Sequence, residues 1–274
     1  MIEEGKVYTD LSSEEYHAHK ESISRSALMD FDRSPYTYWA KHLNPDRPKK
    51  DATPAMIFGS AFHSLMLEPE KFDLEYIMKP MPMLLKDVGR EVYDLYKKTI
   101  EYAENCGKQV LSHDEWHNLM AMKDVIEKHS QAMHLIQDAR IENSFFWRDS
   151  FSGLLLKCRP DILHDNMIVD LKTTSDASPR AFQKEMVKFG YHVQFAMIRD
   201  AVEKLEGKRI DSCIEIVIET KYPYNIAIYM IDICAINEGE IKYKNLCMDL
   251  KHARETEIYQ DYGIQVIGLP AWAT

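Results

Sequence analysis

The sequence predicts an α/β fold with a mixed central sheet. Three observations carry that prediction. Apolar residues recur at helical spacing in several long segments, the period turns strand-like between residues 144 and 174, and another helical segment separates those strands from two further β-rich runs. The order is helix, three strands, helix, two strands, helix. The chain has 274 residues, 45 % hydrophobic and 28 % charged, with 15 Tyr, 10 Phe and 4 Trp, which is the composition of a folded domain rather than a disordered tail. We read a single domain, with residues 1–53 as an N-terminal helical arm and loop and residues 54–274 as the core.

Residues 24–42 open with hydroxyls suited to a helix N-terminus and set Leu28, Phe31 and Tyr38 toward one side. Two prolines and a charge cluster make residues 44–51 a loop. Residues 54–68 then begin a helix at Pro54 and end it before Pro69. The polar, Tyr-rich stretch 86–104 predicts another helix. Ser112 and Glu115 form a capping box, and Trp116, Leu119, Met122, Ile126, Met133 and Ile136 follow at helical intervals, predicting one long helix over 113–139. Runs at 144–149 and 154–159 flank Ser152-Gly153, and with 167–174 they predict a three-stranded meander. Ser178-Pro179 starts a helix that runs to Gly207, about seven turns at 3.6 residues each. Strands at 213–219 and 226–233 and a helix over 235–259 complete the pattern.

Several function classes fall away. The longest uncharged apolar stretch, residues 55–67, carries His63 and is shorter than the roughly 20 residues that cross a bilayer, so no membrane span is expected. The first residues lack an apolar stretch, and a cytoplasmic protein is expected. The five cysteines form no C-x-x-C pair, which argues against a disulfide scaffold, a zinc ribbon or an iron–sulfur cluster. The net charge of −10 repels polyanions, so a nucleic-acid partner requires the basic residues to be concentrated in one place.

The segment from Arg159 to Lys172 carries the chemistry. If Asp165-Asn166 is a two-residue hairpin turn, Asp161 lies opposite Asp170 and Arg159 opposite Lys172, all on one face. A three-residue turn would instead oppose Asp161 to Val169. Two carboxylates about 5 Å apart repel one another, and a divalent cation turns that repulsion into ligation. Mg²⁺, or Mn²⁺ in its place, takes carboxylate and carbonyl oxygens, so Asp161, Asp170 and the Leu171 carbonyl form a candidate shell. Lys172 beside it would orient a water or stabilise charge building on a phosphate. The competing reading is that both acids and the lysine decorate the solvent face of a hairpin. By strand parity Cys158 points away from Asp161, and a nucleophilic role is not expected. Glu142 either reaches the metal or closes the helix before it.

Arg159-Pro160-Asp161 and Asp170-Leu171-Lys172, in an α-βββ-α-β order, resemble the PD-(D/E)xK nuclease superfamily. More closely, the chain is similar to the RecE-type exonucleases (exonuclease VIII family). That resemblance is carried also by Ser24-Arg25-Ser26-Ala27-Leu28, by Gly59 through Leu65, by Tyr191-His192-Val193-Gln194 and by Leu269-Pro270-Ala271-Trp272. It implies a PD-(D/E)xK core flanked by helices, with His63, Asp161, Asp170 and the Leu171 carbonyl as metal ligands and Lys172 as catalytic lysine. Gln194 and Tyr191 would line the site. From the residues alone His63 reads as a core histidine, though Gly59 and Ser60 one turn earlier leave room for another element to approach.

The resemblance implies a Mg²⁺-dependent exonuclease acting on ends of linear double-stranded DNA, from the 5′ end. It also implies a RecT-type single-strand annealing protein as partner and a ring-shaped homotetramer. Where some relatives begin an iron–sulfur cluster this chain has Ser34-Pro35, so none is expected. Relatives carry an arginine-rich segment where residues 83–87 are mostly apolar here. Candidate phosphate contacts are Arg148, Lys157, Arg159, Arg180, Lys184 and Lys188, with Lys49 and Lys50 in the loop.

Overall fold

A computed structural model describes residues 2–48, 52–79 and 85–269. Lys49, Lys50, residues 83 and 84 of the apolar segment, and Pro270 to Trp272 lie outside the described residues. The chain begins with β1 (Lys6–Tyr8) and α1 (Ser13–Ala18), the latter opened by a Ser12–Glu15 capping box. Ser24 caps α2 (Arg25–Arg33), and Ser34 ends it and caps α3 (Pro35–Tyr38), so the helix expected over 24–42 breaks where Pro35 cannot supply an N–H. Then come α4 (Pro54–Leu67), α5 (Pro69–Glu75), β2 (Tyr76–Met78), α6 (Leu85–Val88), α7 (Arg90–Asn105) and β3 (Gln109–Leu111).

The long helix expected over 113–139 is two helices, α8 (His113–Glu127) and α9 (Ser130–Ile136). The His129 ring accepts from the Ala132 N–H and starts the second. Four strands follow: β4 (Arg140–Ile141), β5 (Ser144–Arg148), β6 (Leu155–Cys158) and β7 (Ile162–Leu163). They lead to β8 (Met167–Thr174), α10 (Pro179–Phe189) and α11 (Tyr191–Glu206). The expected seven-turn helix is thus broken at Gly190, whose φ of +69° belongs to the left-handed region that glycine adopts most easily. The chain closes with β9 (Ser212–Glu219), β10 (Ile226–Met230) and α12 (Ile233–Thr256).

The expected meander is divided between two sheets. β5 and β6 pair with each other, and β1 joins them in a three-stranded sheet. β7 and β8 belong to a five-stranded sheet in the order β10-β9-β8-β7-β4, mixed because β8 and β9 are parallel. Pro160, which has no N–H to give a ladder, lies between β6 and β7 where the chain changes sheet. Arg159 is therefore not opposite Lys172; it turns back to donate to Ser144 Oγ (2.7 Å) and Leu11 O (2.9 Å).

Alternation along β8 sends its side chains to two different cores. Val169 and Leu171 pack with Phe62 and Leu65 of α4 and with Leu119 and Met122 of α8. Ile168 faces the core built from α2, α11 and α12. Asp170 and Lys172 share its parity, so the polar residues of the strand emerge on the α11 side. Among the described residues no helix is long and apolar enough to cross a membrane.

Candidate metal and active site

The hairpin forms in the two-residue register. Ile162 pairs with Val169 and Leu163 with Ile168, and His164 N–H closes on Met167 O at 2.9 Å around Asp165-Asn166. Continuing that register sets Asp161 opposite Asp170. Asp161 Oδ2 accepts from the Leu171 N–H at 2.9 Å and lies 3.3 Å from His63 Nδ1 on α4. The small face of α4 lets it run close over the strand, since a Cβ at Gly59 would sit 3.6 Å from Thr173 Oγ1.

Glu142 completes the cluster. It has a φ of +53°, an unusual conformation for a residue with a side chain, and its N–H donates to Asp161 O at 3.1 Å. One ligand atom each from His63, Glu142 and Asp161 lie within 4.8 Å of one another. Of the two roles open to Glu142, the structure places it in the candidate site. Burial, then the Asp161 carboxylate beside it, push its carboxyl up to about 8. Burial and the neighbouring Asp170 likewise raise Asp161 above the usual carboxylate range. Acids held this unfavourably are relieved by a cation, and two carboxylates with one imidazole form a donor set that suits a divalent metal ion.

Asp170 is 1 % exposed. Its Oδ1 accepts from Gln194 Nε2 at 2.7 Å, and its Oδ2 is ion-paired with Lys172. Burial alone would raise this carboxyl, but Lys172 outweighs burial and holds it below the usual range. Lys172 in turn is raised above its ordinary value, because Asp170, Glu215 and Asp161 overcome its desolvation. It is therefore a cation, lying 5.0 Å from the centre of the Tyr191 ring. The break at Gly190 aims this part of α11. Arg25 at the start of α2 locks it, donating to Phe189 O (2.6 Å) and to Gln194 Oε1 (3.3 Å). His63, Asp161, Asp170, Lys172, Gln194 and Tyr191 are thus brought together, with the Leu171 backbone touching Asp161.

The proposed phosphate contacts divide. Lys157 is buried and its Nζ donates to Tyr16 O (2.7 Å) and His19 O (2.8 Å), so it holds the first helix rather than offering a charge to a partner. Arg159 is committed to Ser144 and Leu11, as described, and stacks over the Tyr16 ring at 4.3 Å. Arg148 is exposed but paired with Glu4 at 2.6 Å. Arg180, Lys184 and Lys188 are exposed along α10. Beside the acids lies a cavity of about 240 Å³ lined by Ser24, Arg25, Ser26, Glu142, Arg159 and Gln194. Arg25 carried no role in the sequence reading, although the Ser24-Arg25-Ser26 motif marked it. Glu215 was missed; an isolated acid in the apolar run from Cys213 to Ile218 was the available signal. Cys158 is buried, and burial raises its thiol far above the range of a nucleophile.

Residues 24–263 match the family described as PDDEXK-like domain of unknown function (DUF3799). The chain belongs to this family. The crystal structure of a candidate exonuclease from Eubacterium rectale superposes with a TM-score of 0.63 at 17 % identity, covering 95 % of this chain and 96 % of that one. At that identity the likeness establishes the fold. An alkaline exonuclease from Laribacter hongkongensis (LHK-Exo) is 14 % identical over 72 % of this chain and 95 % of its own, with a TM-score of 0.28, too small an overlap to argue from. No curated protein matches. The expected PD-(D/E)xK fold class holds for this PDDEXK-like chain.

Proposed function

We propose that this PDDEXK-like protein is a divalent-metal-dependent exonuclease that hydrolyses linear double-stranded DNA from the 5′ end. The observation that carries the reading is the buried pair Asp161 and Asp170, opposed across the hairpin, with His63 at one side and the Lys172 cation at the other. A purely structural face would not bury two like charges beside each other. His63, Asp161 and Glu142 would hold the ion, with Asp170 and the Leu171 carbonyl completing the shell. When bound, a divalent ion polarises the phosphate and makes water more acidic. Lys172, kept charged, offers its ammonium where negative charge builds on the phosphate oxygens. Gln194 and Tyr191 fix the two groups it depends on, Asp170 and the ammonium itself.

The cavity next to the acids supports end-directed action. Arg25 spends two of its five N–H donors on Phe189 O and Gln194 Oε1, and the remaining ones, with the Ser24 and Ser26 hydroxyls, would suit a terminal phosphate monoester, a group absent from the interior of a strand. The resected single strand would pass to a RecT-type annealing protein. A tetrameric ring would let an acidic exterior coexist with a basic channel, and light scattering showing only monomer would remove the ring.

The deciding experiment digests linear duplex labelled at the 5′ or the 3′ end, in Mg²⁺ or EDTA, with covalently closed circles as control. Early release of 5′ label is expected, abolished by EDTA and reduced roughly 10²- to 10⁴-fold in Lys172→Ala. Cutting of closed circles would identify an endonuclease on the same core. No digestion by folded wild type would leave a DNA-binding scaffold.

A further inference from the structure

Glu215 has no role in the site as built above. β9 runs parallel to β8 and pairs Glu215 with Asp170, so both carboxyls emerge on the side of the sheet that carries Lys172. Glu215 is 1 % exposed, no donor among the described residues reaches its ionised oxygens, and burial with the neighbouring Asp170 raises its carboxyl well above the usual range, where a shared proton can link it to Asp170. Burying a carboxyl this way opposes folding, and the strand around it, Ile214, Ile216, Val217 and Ile218, is apolar and buried. An acid that the fold does not use for stability calls for another explanation.

The explanation lies in the partner Lys172 must give up. Gln194 occupies Asp170 Oδ1, and Lys172 is paired with Oδ2. The oxygen that holds the lysine is thus the one Asp170 has left to give a cation. Lys172 then needs a second acceptor nearby, and the carboxyl that the register sets beside Asp170 on the adjacent strand, near enough to act electrostatically on the lysine, is Glu215.

We propose that Glu215 is a positioning residue that takes over the Lys172 ammonium when Asp170 engages a divalent cation, so that the lysine stays beside the phosphate. The inference rests on the metal-dependent reading of the site. It does not need Glu215 to be ionised, because a neutral carboxyl still accepts through its carbonyl oxygen.

The test follows Lys172 directly, by reductive methylation and peptide mass spectrometry of wild type, Glu215→Leu and Glu215→Gln in EDTA and in Mn²⁺. In EDTA, where Asp170 still holds the lysine, all three should be labelled alike, and Glu215→Leu should melt no lower than wild type. In Mn²⁺, Lys172 of Glu215→Leu should be labelled several-fold faster than wild type. Glu215→Gln, which keeps one acceptor oxygen, should fall between, and it carries the test if the leucine variant does not fold. On linear duplex, kcat of Glu215→Leu should fall roughly tenfold or more with KM unchanged. Labelling at the wild-type rate in Mn²⁺ for both variants, or an activity loss that only follows a lower melting temperature, would overturn the inference. If Mn²⁺ changes neither melting nor Lys172 labelling in wild type, the metal-dependent reading falls and takes this inference with it. A normal Mn²⁺ response with unaffected variants removes the inference alone.

Discussion

At the scale of single residues, the site stores electrostatic repulsion that a cation relieves. Glu142 and Asp161 are both raised by burial first and by a neighbouring carboxylate second. A raised acid keeps its proton longer in the folded chain than in the unfolded one. For Glu142 the usual value is 4.5 and the folded value about 8, so its protonation stabilises the fold below 4.5, and that contribution is lost as pH rises toward 8. Without metal, Glu142→Gln should therefore gain thermal stability relative to wild type across that window and match it at lower pH. Cation binding must expel the same proton, so Mn²⁺ affinity should rise with pH and level off above about 8. Calorimetric titration at several pH values checks this: the slope should flatten in Glu142→Gln, and a slope unchanged by the substitution would remove Glu142 from the shell.

At the scale of elements, the site depends on how closely α11 is held. A Cβ on Gly239 of α12 would lie 2.4 Å from His192 O and 2.7 Å from its carbonyl carbon, so the two helices meet backbone to backbone two residues before Gln194. Gly239→Ala must push α11 aside, at a cost of about 1–3 kcal/mol, the usual range for overpacking. The displacement reaches Tyr191 and Gln194, so kcat should fall by more than the loss of folded protein accounts for. Circular dichroism melts beside single-turnover rates separate the two effects. Gly239 carried no signal in the sequence, because the atom that forbids a side chain there belongs to another helix. The hairpin register was legible, since Asp165-Asn166 specifies a two-residue turn and thereby the opposition of Asp161 and Asp170. His63 was legible only through family resemblance. The breaks at His129 and Gly190 were not, because helical spacing continues through both. Nor was the division of the strands between two sheets, in which β5 takes β1 from the far N-terminus as partner while β7 takes β4.

At the scale of the whole molecule, if a chain of net charge −10 is to bind a polyanion, it must do so through a few placed cations. Two sets of basic residues behave differently. Lys157 serves the fold: its ammonium ties Tyr16 O and His19 O to β6, and burial pushes it down to about 8. Lys157→Ala removes two charge-assisted hydrogen bonds, about 1.5–3 kcal/mol each before any compensation, so it should lower the melting temperature and leave the salt dependence of DNA binding unchanged. Arg180 and Lys184 lie exposed on α10, the helix that leads through Gly190 into the Tyr191 and Gln194 side of the site. If they contact phosphates of a duplex, each releases about 0.9 of a counterion, and Arg180→Ala with Lys184→Ala should reduce the slope of log K against log salt by about 2 while melting as wild type does. Fluorescence anisotropy of a labelled duplex in Ca²⁺, across a salt series, reads both variants against wild type. A slope lost in the Lys157 variant and kept in the α10 variant would reverse these assignments and move the DNA path from α10 to the face formed by β6 and the first helix.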